Sequence, residues 1–183
     1  MNLMTSLNRL ESISGKKRIA RGAVAQMDDG ICKSVLSQLP LYAEENEDAW
    51  THISVQKHFP EEVAARLKAL GASDKDLQTE DAFAVASEQN TICIYSESDR
   101  GLIYGAFEVL QQAQANCGFV PGGIRFACPQ CPFRALKVYL PGEKQLDQFY
   151  KIVDMLLYYR YNTLIVEVGG AMEYKHHPCS VNT

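Results

Sequence analysis

Basic clustering is the first thing missing from this chain of 183 residues. Lys and Arg total 18 against 22 Asp and Glu, a net charge of −4, with an isoelectric point near 5.6. The cations are scattered and form no stripe. Nucleic acid is disfavoured as a partner, because neutralising phosphates needs clustered cations. An anionic membrane surface is disfavoured on the same ground. Long apolar runs are missing too, the longest falling far short of the roughly 20 residues a bilayer span needs. The opening MNLMTSLNRLESISGKKR has no apolar core and no small-residue cleavage site, so no secretory leader is expected and a cytoplasmic protein is.

Paired metal-ligand motifs are also absent. Of the six cysteines, Cys32 and Cys93 sit in apolar periodic segments and read as small core residues. Cys128 and Cys131 form CPQC, which supplies two ligands where a structural zinc usually takes four. Cys117, Cys179, His176 and His177 complete a site only if the fold gathers them. Free thiols in a Pro-rich loop are the expectation, with no metal and no cofactor. CPQC does not follow a strand and open a helix, which argues against a thioredoxin-like role. A P-loop, G-x-G-x-x-G, HExxH and G-x-S-x-G are lacking, which disfavours nucleotide-binding, zincin and α/β-hydrolase chemistry.

What is present is a succession of short periodic segments. Residues 1–17 are polar and read as a loose lead-in, and Ile19 to Met27 as a strand. Ile31, Val35, Leu36 and Leu39 have helical spacing, and Pro40 ends that helix. WTHISVQKH alternates like a strand. FPEEVAARLKALG has Pro60 in its first turn, acids at its start and Gly71 as its stop, the marks of a helix. DAFAVASE and NTICIYSES alternate on either side of a Gln89-Asn90 turn and predict a β-hairpin. Asp99 is the expected N-cap of GLIYGAFEVLQQAQAN, with Leu102, Ile103, Phe107, Val109 and Leu110 on its buried side. Gly105 weakens that helix, which close backbone packing would explain. CGFVPGG then reads as a turn-rich exit and IRFACPQCPF as an extended connector.

Beyond Phe133 the texture changes. RALKVYLP is a short apolar strand, and EKQLDQFYKIVDMLLYYRYN is a long amphipathic helix with Leu146, Phe149, Ile152, Val153, Leu156 and Leu157 on one face. TLIVEVGG is a near-continuous apolar strand of the kind found in parallel sheets covered on both faces. The fold class predicted is α+β: residues 1–132 form a small sheet of about four strands with helices on one face. Residues 133–183 form the β-α-β start of a (β/α) barrel that is incomplete within this chain. A complete barrel takes roughly 250 residues, and two parallel strands with one helix cannot bury their own faces. Self-association through exposed strands is expected from this.

Three segments carry a family resemblance. SDRGLIYGAFEVLQQ resembles the S-x-x-G-x-x-Y-G-x-x-T-L-x-Q helix of the non-catalytic domain that precedes the barrel in family 20 glycoside hydrolases, the β-N-acetylhexosaminidases. FVPGGIRFACPQCPFRALKVYLP resembles that family's linker and first barrel strand. YYRYNTLIVEVGGAMEYKHHP resembles its second, Asn-led strand, and more narrowly a bacterial branch reading E-V-G-G-A-M-E-Y. The resemblance covers roughly residues 80–178.

It implies cleavage of terminal N-acetylhexosamines by substrate assistance, in which the sugar's own acetamido oxygen attacks. Family 20 departs in this from the usual two-carboxylate scheme. The family's Asp-Glu pair lies at the end of the fourth barrel strand, so no catalytic residue transfers to this chain. Arg134 matches an Arg that binds sugar hydroxyls in the family, and a planar charged fork suits vicinal hydroxyls. Glu167, in an apolar strand, and Glu173, just beyond that strand's C-terminal end where barrel sites form, are the other substrate-binding candidates. Glu167 bonded to a neighbouring strand, and Glu173 as a solvated loop residue, are the plainer readings of each. There are departures: Ala135 replaces the usual Gly, Tyr139 a frequent Asp, and GGA the usual Asp-Asp. The resemblance makes this the front of a glycoside hydrolase, inactive by itself and binding carbohydrate as part of a longer chain. The alternative is a stand-alone carbohydrate-binding or protein-interaction module.

Overall fold

The computed structural model describes residues 7–19, 21–28, 30–38 and 51–168. It divides into two compact units, Met1–Gln130 and Cys131–Thr183. The first is an α+β unit built on a mixed five-stranded sheet, and the second a two-stranded parallel sheet with one helix. No helix among the described residues is long and apolar enough to cross a membrane.

In the first unit the strands are β1 (Leu7–Arg18), β2 (His52–Lys57), β3 (Phe83–Glu88), β4 (Thr91–Ser96) and β5 (Phe119–Cys128), in the order β1-β5-β3-β4-β2. β2 runs parallel to β4, and the other pairings are antiparallel. The helices are α1 (Arg21–Ala25), α2 (Gly30–Leu36), α3 (Glu61–Ala69), α4 (Asp74–Leu77) and α5 (Asp99–Ala115). The β3–β4 hairpin turns at Gln89, whose φ of 46° is the left-handed conformation such a tight turn requires.

Two expectations about the N-terminal segment are corrected. The lead-in is strand β1, which pairs along β5 from Leu7↔Cys128 to Arg18↔Phe119. Its own alternation is poor, so a partner more than a hundred residues away decides its state. The supposed strand from Ile19 to Met27 is instead the short helix α1, with Ala23, Val24 and Met27 buried at helical spacing.

The expected connector is also corrected. FVPGGIRFAC is the continuous strand β5, bonded to β1 on one side and β3 on the other. Pro121, Gly122 and Gly123 look like breakers, but they meet a register shift in β1 between Ser12 and Lys16. A bulge absorbs residues that a regular ladder would refuse.

Helices lie on both faces of the sheet, where the sequence pattern suggested one. On one face α5 seats against Phe83 and Ile94. On the other, α3 and α4 bring Val63, Leu67 and Leu77 onto Ala84, Ala86, Tyr95, Ile124 and Phe126. Successive strand residues alternate between faces, and the first five residues of β3 are all buried. That unbroken burial is the signature of a doubly covered strand.

Local stops follow the residue chemistry. α3 ends with Gly71 at φ 92°, the Gly71 amide donating to the Lys68 carbonyl (2.8 Å) and the Ala72 amide to Leu67 (3.0 Å). This is a Schellman closure, which a residue without a Cβ enters at little cost. The N-cap of α5 is Ser98 rather than Asp99, its hydroxyl accepting from the Gly101 amide at 3.0 Å.

The second unit contains β6 (Ala135–Tyr139), a single 3-10 turn over Glu143–Gln145, α6 (Leu146–Tyr158) and β7 (Thr163–Glu167). β6 and β7 are parallel and in register from Ala135↔Thr163 to Tyr139↔Glu167.

Candidate functional site

The parallel pairing sorts the sequence candidates by strand end. Arg134 immediately precedes β6, while Glu167 closes β7. The five-residue step from Arg134 to Tyr139, the register partner of Glu167, spans about 16 Å of extended chain. The strands therefore hold Arg134 and Glu167 apart. Glu173, His176, His177 and Cys179 lie outside the described residues.

Arg134 is buried, with 3% of its surface exposed. Its guanidinium donates from Nε to the Arg160 carbonyl at 2.6 Å and from Nη1 to the Cys131 carbonyl at 2.7 Å. Its amide donates to Oδ1 of Asn162 at 3.0 Å, while its carbonyl accepts from the amides of Asn162 and Thr163. Asn162 Nδ2 reaches the Pro132 carbonyl at 2.7 Å.

The Arg160 carbonyl is placed for this by the end of α6. Arg160 adopts φ 61°, and the amides of Arg160 and Tyr161 close back on Leu157 and Leu156 at 3.1 and 2.8 Å. It is a Schellman closure with Arg where Gly is usual. A non-glycine residue here carries strain, and the Arg134 guanidinium holds the carbonyl that follows from it. Arg134 thus fastens the helix end to the strand start.

The opposite, C-terminal end carries different chemistry. Alternation along β6 puts Ala135, Lys137 and Tyr139 on one face, and Leu136 and Val138 on the other. Glu167 forms an ion pair with Lys137, and both side chains are substantially exposed. The ammonium also stands 5.8 Å from the centre of the Tyr139 ring. Lys137 was missed as a site residue in the sequence, although its shared parity with Tyr139 was there to be read. A carboxylate, an ammonium and a phenol on one open face can accept and donate hydrogen bonds to hydroxyls. Beside them, a hollow of about 350 Å³ is lined by Val138, Leu140, Pro141, Phe149 and Ile152 among others.

The CPQC pair is not confined to a loop: Cys128 is the buried last residue of β5, while Cys131 is exposed. Among the described residues no group of three or more His, Cys, Asp or Glu could hold a metal ion.

The Ser98–Gln112 segment proves to be a packing device. A Cβ on Gly101 would overlap Ser96 Oγ and come within 2.7 Å of the Ala82 carbonyl, and one on Gly105 would overlap Ile94 Cγ2. Both glycines let α5 settle onto β3 and β4. Arg100 pairs with the buried Asp81, and Ser96 Oγ donates to the Ala82 carbonyl at 2.6 Å, tying the helix start to the segment entering β3. Tyr104, the signature tyrosine, is 1% exposed and belongs to the core.

No family model matches the chain, and no curated protein matches it. Solved structures do. A β-N-acetylhexosaminidase of glycoside hydrolase family 20 from Streptomyces coelicolor A3(2) aligns over 90% of this chain and 33% of its own, with TM-score 0.59 and 16% identity. The N-acetyl-β-hexosaminidase of Streptomyces plicatus aligns over 91% and 33%, with TM-score 0.58 and 15% identity. A family 20 exo-β-N-acetylglucosaminidase of Vibrio harveyi aligns over 90% and 25%, with TM-score 0.55 and 13% identity. The chain has a family-20-like fold. It spans a third or less of the length of these structures.

Proposed function

We propose that these residues form the α+β domain and the opening β-α-β of the barrel in a glycoside hydrolase resembling the β-N-acetylhexosaminidases, of the bacterial branch with the E-V-G-G-A-M-E-Y strand. The observation that carries this is the fold likeness to several such enzymes, running through both units. The substrate is a terminal N-acetylhexosamine glycoside, and the catalytic carboxylates come from outside these residues.

The exposure pattern supports a barrel start. Nine of the ten exposed large apolar residues among those described, from Phe133 to Val168, belong to the second unit. The face bearing Lys137, Tyr139 and Glu167 is, in this proposal, the barrel interior. Active sites of such barrels form at the C-terminal strand ends, which makes Glu167 and Glu173 the substrate-facing pair. Arg134 stands at the other end. For it to bind sugar, its guanidinium must release the Arg160 and Cys131 carbonyls, so the geometry favours a fastening role.

A stand-alone module is supported by the first unit alone, whose sheet carries helices on both faces. The uncovered second unit argues against it for the chain as a whole. The two are separated by assaying this chain, and the full protein that carries it, on a chromogenic N-acetyl-β-glucosaminide. No turnover above blank is expected from this chain, and release of chromophore from the full protein. Turnover by this chain alone would overturn the placement of the catalytic pair elsewhere. An inactive but folded full protein would overturn the enzyme assignment.

A further inference from the structure

The first unit contains a groove lined wholly by its own residues. α3 is nine residues long and buries only Val63 and Leu67; with α4 it covers Ala84, Ala86 and Tyr95 and leaves Thr91 and Cys93 of β4, and His52, Ser54 and Gln56 of β2, partly or fully exposed on the same face. The residues there are small or polar: Thr91 opposite His52, Cys93 opposite Ser54, and Tyr95 opposite Gln56. The result is a cavity of about 460 Å³, floored by Ala86, Cys93 and Tyr95 and walled by Val63, with Arg66 and Glu88 at the rim. That volume is in the range of small-molecule sites, about 300–1,000 Å³.

Its chemistry narrows the occupant. Arg66 is already paired with Glu88 at 2.5 Å, and Glu62 also lines the groove. A phosphate or other dense anion would face two carboxylates and an occupied guanidinium. A planar aromatic ligand would find no exposed ring to stack on, since Tyr95 is 7% exposed. What remains is a mixture of donors and acceptors: the Gln56 amide, the Thr91 hydroxyl and the Arg66–Glu88 pair. Hydroxyl and amide groups, which both donate and accept, match such a mixture.

We propose that this groove is a carbohydrate-binding subsite for a neutral, pyranose-sized sugar bearing hydroxyl and amide groups, held between α3 and the β4–β2 face. The choice of an amido sugar rests on the proposed glycosidase reading, whereas the groove itself does not.

Cys93 provides the test, because its thiol lines the groove while the exposed Cys117 lies outside it. The full chain is alkylated with iodoacetamide in the presence and absence of N-acetylglucosamine or its β-linked disaccharide, and each cysteine is followed by mass spectrometry. Saturable, several-fold slowing at Cys93 with Cys117 unchanged is expected. An unchanged Cys93 rate, or equal slowing at both sites, would overturn the proposal. Ala86→Leu, which fills the floor, should abolish the protection while leaving the circular dichroism spectrum unaltered. If that variant fails to fold, the double variant Arg66→Met with Glu88→Gln replaces it, and protection surviving in it counts against the rim's role. Protection at Cys93 alongside an inactive full protein leaves the subsite standing and removes the glycosidase. Activity without protection does the reverse.

Discussion

Asn162 holds the backbone of Arg134 at both its amide and its carbonyl. Its side-chain Oδ1 accepts from the Arg134 amide at 3.0 Å, and its own amide donates to the Arg134 carbonyl at 3.0 Å. The residue that ends the α6 turn thereby sets the register of β6 against β7.

Asn162→Ala removes the acceptor for Arg134 and the donor to Pro132. Leaving such groups unmatched costs about 1–3 kcal/mol. Urea denaturation should show a loss of that size. Asn162→Asp keeps the acceptor but loses the donor, so it should fall between the wild type and the alanine variant.

Gly101→Ala and Gly105→Ala should both destabilise the first unit by overpacking, on the order of 1–3 kcal/mol or more. Gly101→Ala should be the worse of the two. Its obstacles include the Ala82 backbone carbonyl, which cannot move aside, whereas Gly105 faces the Ile94 side chain. Thermal melts of the two variants under identical conditions check the ranking.

Ser87→Ala is expected to be neutral or stabilising. The Ser87 hydroxyl is 2% exposed and has no hydrogen-bond partner among the described residues. Removing an unmatched buried hydroxyl spares a desolvation penalty of about 1 kcal/mol. A clear fall in melting temperature would show that the hydroxyl is bonded after all.

Tyr95 should make the fold sensitive to alkali. Burial pushes its phenol above the ordinary value of 10.0, and the neighbouring Cys93 adds to the shift. Above that ordinary value the unfolded chain gives up a proton that the folded chain retains, so the unfolded state binds fewer protons and stability falls as pH rises. The contribution is fully present below pH 10.0 and is lost above it. Tyr95→Phe should flatten this loss in melts taken between about pH 8 and pH 11, relative to the wild type.

The second unit should drive self-association. Tyr139, Ile165 and Val168 are 72%, 42% and 43% exposed, and open apolar strand faces invite pairing. Sedimentation velocity of this chain should show concentration-dependent association, which Tyr139→Ser with Ile165→Lys weakens. A monomer at every concentration, for the unsubstituted chain, would count against the uncovered face.

What could be read from the sequence was whatever short-range periodicity controls. The β3–β4 hairpin, α3 with its Gly71 stop, and the β6-α6-β7 unit all follow from residues close together. β1 and β5 did not, because each is stabilised by a strand far away, and Pro121 and Gly123 masked the second. The double coverage of the sheet lay in the apolar run of residues 82–86, which the period-two reading of the hairpin took for alternation. Glu167 stood out in the sequence as a carboxylate in an apolar strand, but its ion-pair partner Lys137 did not, because a lone Lys in a short strand looks like a solvated residue. Residue type alone could not tell a sugar ligand from a fastener at Arg134. The bonds from its guanidinium to the Arg160 and Cys131 carbonyls are visible only in the fold.

The pairing of β1 with β5 also bears on how the molecule is made. Leu7 finds Cys128, and Arg18 finds Phe119, so β1 is synthesised about a hundred residues before the strand it pairs with and waits for it. Contacts this distant in sequence slow folding. During that interval both the β1 segment and the open edge of β3 are without their strand partner, a state prone to misassembly. Synthesis of β5 closes both edges in one step. The segment that reads as a mere connector is therefore the element whose arrival commits the first unit to its fold.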